Sequence, residues 1–261
     1  MRAFARVVAW VALLLALVAA AGAVAAGLGT RWEWWHFSTG FAALRRSAQL
    51  GLGAGALAVL AGVLAALTRH SGVLLAAALG LAVGLIVAGV PWQMLRQARG
   101  LPPIHDITTD PDSPPGFVAV LDRRRDAPNP TEYGGPAIAA LQRQAYPDIQ
   151  PARFAAPPER VFARAEAAAR KLGWEIVATV PGEGRLEATD TTVWFGFKDD
   201  VVVRLTPIAS GTRVDARSVS RVGRSDLGAN AARIRRFLRA LRENGLPPLS
   251  PAAGDVRTAP S

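Results

Sequence analysis

The sequence predicts a membrane helical anchor of three transmembrane helices that carries one small α+β domain, with an antiparallel four-stranded sheet and flanking helices. Two observations predict this class. Residues before about position 100 are nearly all apolar, and the later residues have the composition of a globular protein with both helical and strand periodicities. We therefore divide the 261 residues into an anchor over 1–100, a proline-rich extended arm over 101–157, an α+β domain over 158–245 and a disordered tail over 246–261.

Three uncharged stretches predict the anchor: Val7 to Thr30, Ser47 to Thr68 and Ser71 to Leu95. Each is longer than the roughly 20 residues needed to cross the hydrocarbon core. Only Arg69 and His70 separate the last two, so we expect them to form a tight helical hairpin. Pumps, channels and transporters usually place ionisable groups inside their helical bundle, and these stretches contain none. A transport function is therefore not expected.

The loop after the first stretch and the glycines of the other two indicate how the anchor is built. The loop contains Trp32, Trp34, Trp35, Phe37 and Phe41, followed by Arg45 and Arg46. Aromatic residues mixed with arginine are typical of the headgroup region, and we expect a short interfacial helix there. Glycines four apart, at Gly51/Gly55 and Gly80/Gly84, favour close helix packing within the monomer over a dimer contact.

Charge is unevenly distributed and leaves two orientations open. Residues 1–100 hold 8 Arg and one acid, whereas residues 101–261 hold 22 Lys+Arg against 19 Asp+Glu, so most of the net charge of +10 lies beside the membrane stretches. Counting arginines, three on the N-terminal side against five on the other, favours a cytoplasmic domain. The N-terminus resembles a signal anchor, which favours the periplasmic side of a bacterial inner (cytoplasmic) membrane, and this is our expectation. Cleavage after Ala23-Val24-Ala25 stays open. The absence of cysteine excludes disulfides and thiol chemistry.

The arm is rich in proline but too apolar for a solvated tether, so we expect it to lie over the domain surface with a short helix near Pro136 to Ala145. A helix then begins at Pro158 and stops at Gly173. Alternating apolar residues predict four strands, with a turn expected at Lys198-Asp199-Asp200. The strands are Trp174 to Val180, Leu186 through Phe197, Val201 to Leu205 and Val214 to Val219, and a closing amphipathic helix runs from Asn230 to Asn244.

Two segments have distinctive sequences: IHDITTD from Ile104 to Asp110, and RSVSRVGRSDLGAN from Arg217 to Asn230. Further motifs are YPDIQP, GWEIV and FGFKDDV, which begin at 146, 173 and 195. Together these motifs resemble the bacterial and plastid Domain of Unknown Function family 1499 over roughly 101 to 243. The three preceding helices resemble a membrane-anchored subgroup of that family. The resemblance implies the domain and leaves the activity open.

The second segment supplies the candidate residues for binding an anion or a partner. They are Arg217, Ser218, Ser220, Arg221, Arg224, Ser225, Asp226 and Asn230. Ser225 or Asp226 is suited to cap the following helix, whose free N–H groups, beside two arginines, suit a phosphate or carboxylate. The alternative is a structural strand-to-helix turn in which the arginines pair with Asp226 or Glu187.

His105, Asp106 and Asp110 form a secondary candidate set. With Asp112 they are residue types that bind metals, but nothing in the spacing fixes a geometry, so an arm with Asx-type turns is the simpler interpretation. We expect no metal and no cofactor. A Ser/His/Asp triad would have to use His105, the only histidine after residue 100, and we predict no catalytic residue.

These observations favour a membrane-tethered binding or assembly module of the bacterial cell envelope over an enzyme. Its expected partners are the lipid bilayer and either an envelope protein or an anionic ligand. The alternative is an enzyme or ligand-binding protein that acts on an anionic or membrane-associated small molecule. No nucleic acid is expected, because the nine Arg against two Asp between 213 and 242 are equally well explained by a solvated helix face.

Overall fold

A computed structural model describes residues 1–243. The chain divides into two compact units. The first comprises residues 1–100 together with Thr192–Gly196, and the second comprises the other described residues. The tail predicted over 246–261, and Asn244 as the predicted end of the last helix, lie outside the described residues.

The first unit is built from three long helices, which are α1 (Arg2–Arg31), α2 (Phe37–Leu67) and α3 (Leu74–Ala98). A 3₁₀ turn, Ser71–Val73, precedes α3. By length and composition, all three helices are long and apolar enough to cross a membrane. The short connection between α2 and α3 confirms the predicted hairpin.

Small residues bring the three helices together. The buried side of α1 carries alanines spaced three or four residues apart, namely Ala5, Ala9, Ala12, Ala16, Ala19, Ala23 and Ala26. A Cβ atom on Gly84 of α3 would lie 2.5 Å from the carbonyl oxygen of Gly51 in α2, and one on Gly80 would lie 3.2 Å from the backbone nitrogen of Leu13 in α1. The glycines therefore lie where helices of the same chain approach closely, as the spacing predicted.

The aromatic loop differs from its prediction. A separate interfacial helix was expected before Ser47, but α2 begins at Phe37 and continues without a break to Leu67. The His36 ring nitrogen accepts a hydrogen bond from the Ser38 amide at 3.4 Å and caps the helix start. Since no proline interrupts this stretch, the aromatic first turns and the apolar span form one helix.

The second unit contains one antiparallel sheet of six strands, where four were predicted. The strands are β1 (Asp106–Thr108), β2 (Ala152–Phe154), β3 (Glu175–Val180), β4 (Arg185–Thr191), β5 (Lys198–Ile208) and β6 (Gly211–Ser220). Their order is β1-β6-β5-β4-β3, and β2 also pairs with β6. The helices of this unit are α4 (Gly135–Ala145), α5 (Pro158–Lys171) and α6 (Ala229–Glu243).

The two additional strands come from the arm. Ile107 of β1 pairs with Ser218, and Arg153 of β2 pairs with Arg213, so β1 and β2 occupy successive lengths of the same edge of β6. Three residues carry too little alternation to be recognised as a strand, and their partners lie about 60 to 110 positions away. The short helix expected in the arm is confirmed by α4.

The turn predicted at Lys198-Asp199-Asp200 is wrong, because these residues begin β5. Asp199 and Asp200 lie opposite Ser220 and Val219 of β6. The connection between β4 and β5 falls at residues 192–197 instead. Two adjacent aspartates favour a turn locally, but here their side chains are buried and paired with arginines distant in sequence.

The sheet is covered on both faces, and β5 shows the alternation that this requires. Val201 and Val203 join the main core, in which Trp174 stacks on Phe237 of α6 with ring centroids 5.2 Å apart. Val202 points to the opposite face and packs with Phe117 of the arm. Polar side chains on either face are consequently enclosed.

Candidate binding site at the turn after the last strand

Three of the eight candidate residues belong to β6, and its alternation places them on two faces of the sheet. Ser218 and Ser220 point to the side covered by α6, where their neighbours Val214 and Ala216 enter the main core. Arg217 therefore points to the opposite side, which the arm covers. The structure does not bring all eight residues to one surface.

Asn230 connects the helix-side residues. Its side-chain oxygen accepts a hydrogen bond from the Ser218 hydroxyl at 2.6 Å. Its side-chain nitrogen donates to the Ser220 hydroxyl and to the His105 carbonyl oxygen, each at 2.9 Å. Asn230 and both serines are buried, so this cluster joins β6, the start of α6 and the arm from within.

Arg233 completes the helix-side cluster and was not among the residues predicted from the sequence. Its guanidinium donates to Asp190 and Asp199, each at 2.6 Å, and to the Ser218 hydroxyl at 3.1 Å. Arg233 is almost fully buried. The one signal of this burial in the sequence is its spacing, because Arg233 lies four residues before Phe237 and so shares the core-facing side of α6 with it.

On the arm side, Asp200 accepts hydrogen bonds from two arginines and a threonine. Arg221 donates from two nitrogens at 2.9 Å each, Arg124 donates at 2.6 Å, and the Thr189 hydroxyl donates at 2.6 Å. Burial alone would raise the pKa of Asp200, but these hydrogen bonds hold it below its ordinary value. Arg124 contacts Asp200 from the arm and so fastens that segment to the sheet.

The pairing expected for Arg221 in the alternative interpretation, with Asp226 or Glu187, is wrong, since Arg221 pairs with Asp200. Glu187 instead accepts hydrogen bonds from the backbone N–H groups of Val118–Val120 at 2.9–3.2 Å and forms an ion pair with Arg185. It is fully buried. The carboxylate satisfies the free amides at the start of a 3₁₀ turn, as a helix cap does.

Arg217 has a structural environment of its own. It donates to both oxygens of Asp106, at 2.9 and 2.7 Å, and to the Thr131 carbonyl oxygen at 2.6 Å. Its guanidinium carbon lies 5.2 Å from the Phe117 ring centroid and 5.6 Å from that of Tyr133. Burial, together with the charge of Asp106, raises the pKa of Tyr133 to about 12.

The secondary candidates belong to the arm, and their acids form ion pairs. Asp110 accepts from Arg213 at 2.7 Å, and Asp112 accepts from Arg143 at 2.7 Å. His105 contributes its backbone carbonyl to the Asn230 cluster. Within residues 1–243, no group of three or more histidine, aspartate or glutamate residues is arranged to hold a metal ion.

The turn itself is closed by Asp226. Its two carboxylate oxygens accept the backbone N–H groups of Gly228 and Asn230, at 3.0 and 2.6 Å, and so cap α6 as predicted. Burial raises the pKa of Asp226. The Ser225 hydroxyl accepts the Leu227 amide at 3.3 Å and forms a small local turn.

Asn129 binds the backbone of the turn, and it too was not predicted from the sequence. Its side-chain nitrogen donates to the carbonyl oxygens of Ser220 and Gly223, at 3.0 and 2.9 Å. Its backbone nitrogen donates to the Arg221 carbonyl at 3.1 Å. Because Asn129 lies between two prolines in the arm, its sequence context indicated only a local turn.

Two side chains remain on the outside of this turn. Arg224 is exposed and makes no ion pair or hydrogen bond with any residue in the described part of the chain. Leu227 is 50% exposed and has a φ of 53°, in the left-handed region that leucine rarely adopts. The turn is thus fixed by the contacts of Asn129 and Asp226, and it exposes Arg224, unpaired within residues 1–243, and the apolar Leu227 to solvent.

Comparison with known proteins gives a match over most of the second unit and over Thr192–Gly196 of the first. A family model described as "Protein of unknown function (DUF1499)" matches residues 106–241, just over half of the chain. No curated protein and no solved structure matches the chain. The matched range starts with β1, includes the arm from residue 106 onwards and the turn, and ends within α6. The chain therefore belongs to this family of proteins of unknown function.

Proposed function

We propose that the protein is a membrane-tethered binding or assembly module of the bacterial cell envelope. Residues 1–100 serve as the anchor in the inner membrane, and the arm and the α+β domain, over 101–157 and 158–245, form the binding part. The anchor proposal is supported by three helices long and apolar enough to cross a membrane. The uncharged stretches within them argue for a tether, since transporters usually carry ionisable groups there.

The turn over residues 221–228 is the proposed contact surface for an envelope protein or an anionic ligand. The observation that carries this proposal is that Asn129 and Asp226 fix the turn while Arg224 has no partner among residues 1–243. A fixed turn loses little conformational entropy on binding. Among the candidates, Arg224 makes the direct contact, since a free guanidinium is suited to a carboxylate or phosphate. The others hold it in place.

Binding is favoured over catalysis by what the buried polar groups do. The Ser218 hydroxyl is hydrogen-bonded to Asn230, and its remaining neighbour is the Arg233 guanidinium, which is no base. The buried carboxylates of Asp199 and Asp200 are matched by arginines. These groups therefore supply packing and orientation within the domain.

Site-specific photo-crosslinking in living cells tests the contact surface. A photoreactive amino acid replaces Arg224 in the full-length protein, and the matched control replaces Arg236, an exposed arginine on α6. We expect a discrete adduct from position 224 that is absent at position 236. Failure to obtain a specific adduct at 224, together with unchanged envelope integrity after deletion of the gene, would count against the proposal.

The proposed periplasmic location of the domain is tested separately. Alkaline phosphatase is fused after residue 100 and, in a second strain, after residue 261; green fluorescent protein is fused at the same points as a control. Phosphatase activity at both points supports the envelope location. Fluorescence without phosphatase activity would reverse the orientation and leave the domain in the cytoplasm.

A second candidate function, a ligand-binding protein or enzyme for an anionic or membrane-associated small molecule, is favoured by Tyr146. This side chain is buried, and its hydroxyl has no hydrogen-bond partner in the described part of the chain. It lies 3.7 Å from where a Cβ atom on Gly228 would be, at the start of α6. Titration of the detergent-solubilised full chain with inorganic phosphate tests this candidate, which requires binding that Arg224→Ala and Tyr146→Phe each weaken.

A further inference from the structure

The first unit includes five residues that lie outside its three helices. Thr192–Gly196, from the connection between β4 and β5, groups with residues 1–100. The Trp194 indole lies directly against Gly27, where any side chain would overlap it. The Phe195 ring packs on Phe41 with centroids 5.0 Å apart, and Phe195 is buried. These contacts make the segment an integral part of the helical unit.

The segment is attached at one defined end of the helices. Arg31, the last residue of α1, donates hydrogen bonds to the carbonyl oxygens of Thr192 and Val193, each at 2.9 Å. With 30 residues, α1 is about 45 Å long at 1.5 Å per residue. The hydrocarbon core is only about 30 Å thick, so the ends of the helix extend into the headgroup region.

The same end carries the side chains expected at a membrane surface. Trp32 and Trp34 follow α1 and are 54% and 64% exposed. Tryptophans beside an arginine are typical of the boundary between headgroups and acyl chains. The hydrogen bonds from Arg31 therefore bring Thr192–Gly196 to the level of this aromatic boundary.

Val193 is the outward side chain of the segment. It is 86% exposed, whereas Trp194 and Phe195 on its C-terminal side are partly or fully covered. An unpaired backbone carbonyl is costly to bring towards lipid, but those of Thr192 and Val193 are already paired with the Arg31 guanidinium. The segment thus offers an apolar tip at which the carbonyl oxygens of Thr192 and Val193 are satisfied.

We propose that Thr192–Gly196 is an interfacial membrane segment, with the Val193 side chain in contact with lipid at the boundary between headgroups and acyl chains. It attaches the chain to the bilayer in addition to the three helices. The occupant of this surface is the bilayer that the helices cross, because the segment continues the surface of the aromatic boundary at the end of α1. This inference rests on the proposed membrane tether.

Single-cysteine labelling tests the proposal in the full-length protein, and the chain offers a clean background because it contains no cysteine. Val193→Cys is labelled with an environment-sensitive fluorophore and reconstituted into vesicles of phosphatidylcholine and phosphatidylglycerol. Leu52→Cys, exposed on α2, is the control for the spanning helices. Gly182→Cys, where an added Cβ meets nothing within 4 Å, is the control for an exposed turn of the second unit.

Lipids with a spin label near the headgroup or deep in the acyl chain report the depth of each fluorophore. We expect the label at 193 to shift to shorter wavelength and to be quenched more by the shallow spin label. The label at 52 should be quenched more by the deep spin label, and the label at 182 by neither.

A label at 193 that remains unquenched while that at 52 is quenched overturns this inference and leaves the tether intact. That includes a blue-shifted but unquenched label, which would indicate coverage by protein. If the label at 52 is also unquenched, the tether proposal fails and takes this inference with it.

Discussion

The Arg221 guanidinium makes two hydrogen bonds of 2.9 Å to the two carboxylate oxygens of Asp200, which is completely buried. Two parallel hydrogen bonds of this kind fix the orientation of the arginine as well as its position. Arg221 therefore ties the first residue of the turn to the middle of the sheet. Arg224, three residues later, has no such tie within residues 1–243.

This contrast predicts different consequences for two alanine substitutions. Arg221→Ala leaves part of the hydrogen-bonding capacity of a buried carboxylate unused, so we expect it to lower the free energy of unfolding by about 1–3 kcal/mol. Arg224→Ala removes an exposed side chain and should change it by no more than about 0.5 kcal/mol. Thermal unfolding of the full chain in detergent micelles, followed by tryptophan fluorescence, measures both. Equal melting temperatures for the two variants would contradict the structural role of Arg221.

Asp200→Asn should be more damaging, because it leaves Arg124 and Arg221 without their shared carboxylate. Breaking a buried ion pair from one side costs about 3–5 kcal/mol. The pKa of Asp200 is held below its ordinary value, so the folded state favours the ionised form. The resulting stability is fully present above the ordinary aspartate pKa and is lost as the pH falls through the folded-state value. The difference in melting temperature between the parent protein and Asp200→Asn should therefore shrink on acidification. A difference independent of pH would contradict this prediction.

Much of the fold was predictable because its signals are local. The three apolar stretches correspond to α1–α3, and the apolar stripe ending at Gly173 corresponds to α5. The two arm strands were not predictable, since three residues such as Asp106–Thr108 become a strand only by pairing with β6. The turn expected at Asp199-Asp200 failed for a similar reason. Arginines distant in sequence neutralise both carboxylates and allow them to lie in the sheet.

The candidate site was predictable to the same extent. The cap formed by Asp226 is a local feature and followed from the sequence. The separation of Ser218 from Arg217 follows from the alternation of the strand predicted over Val214 to Val219, whereas the direction of the Ser220 side chain required knowing that β6 extends to that residue. The roles of Asn129 and Arg233 could not be assigned, because the Ser220 carbonyl lies 91 residues from Asn129 and the two aspartates that pair with Arg233 lie 34 and 43 residues from it. Leu227 gave no signal, since its left-handed φ is imposed by the closed turn around it.

Glu187 should control the attachment of the arm. Its carboxylate accepts the amides of Val118–Val120, just before three consecutive arginines, Arg123 to Arg125. In Glu187→Ala these three amides, of which that of Val120 is buried, lose their acceptor, and we expect trypsin to cleave the native protein much faster after these arginines. Mass spectrometry of the fragments identifies the site of cleavage. Glu166→Ala, which removes an exposed pair with Arg170 on α5, is the control and should leave the cleavage rate unchanged.

Asp226 provides a prediction with the opposite pH dependence from that of Asp200. Asp226→Ala removes the acceptor for the Gly228 and Asn230 amides and should lower the stability by about 0.5–2 kcal/mol. Asp226→Asn keeps a capping oxygen and should lower the stability much less.

Burial raises the pKa of Asp226, so the folded state binds its proton more tightly than the unfolded chain. The parent protein should consequently gain stability relative to Asp226→Asn as the pH falls from the raised pKa towards the ordinary aspartate value. Melting temperatures of the three proteins across this acidic range measure the effect. A parent protein that instead loses stability relative to Asp226→Asn over that range would show that the carboxylate is stabilised as an anion, as Asp200 is.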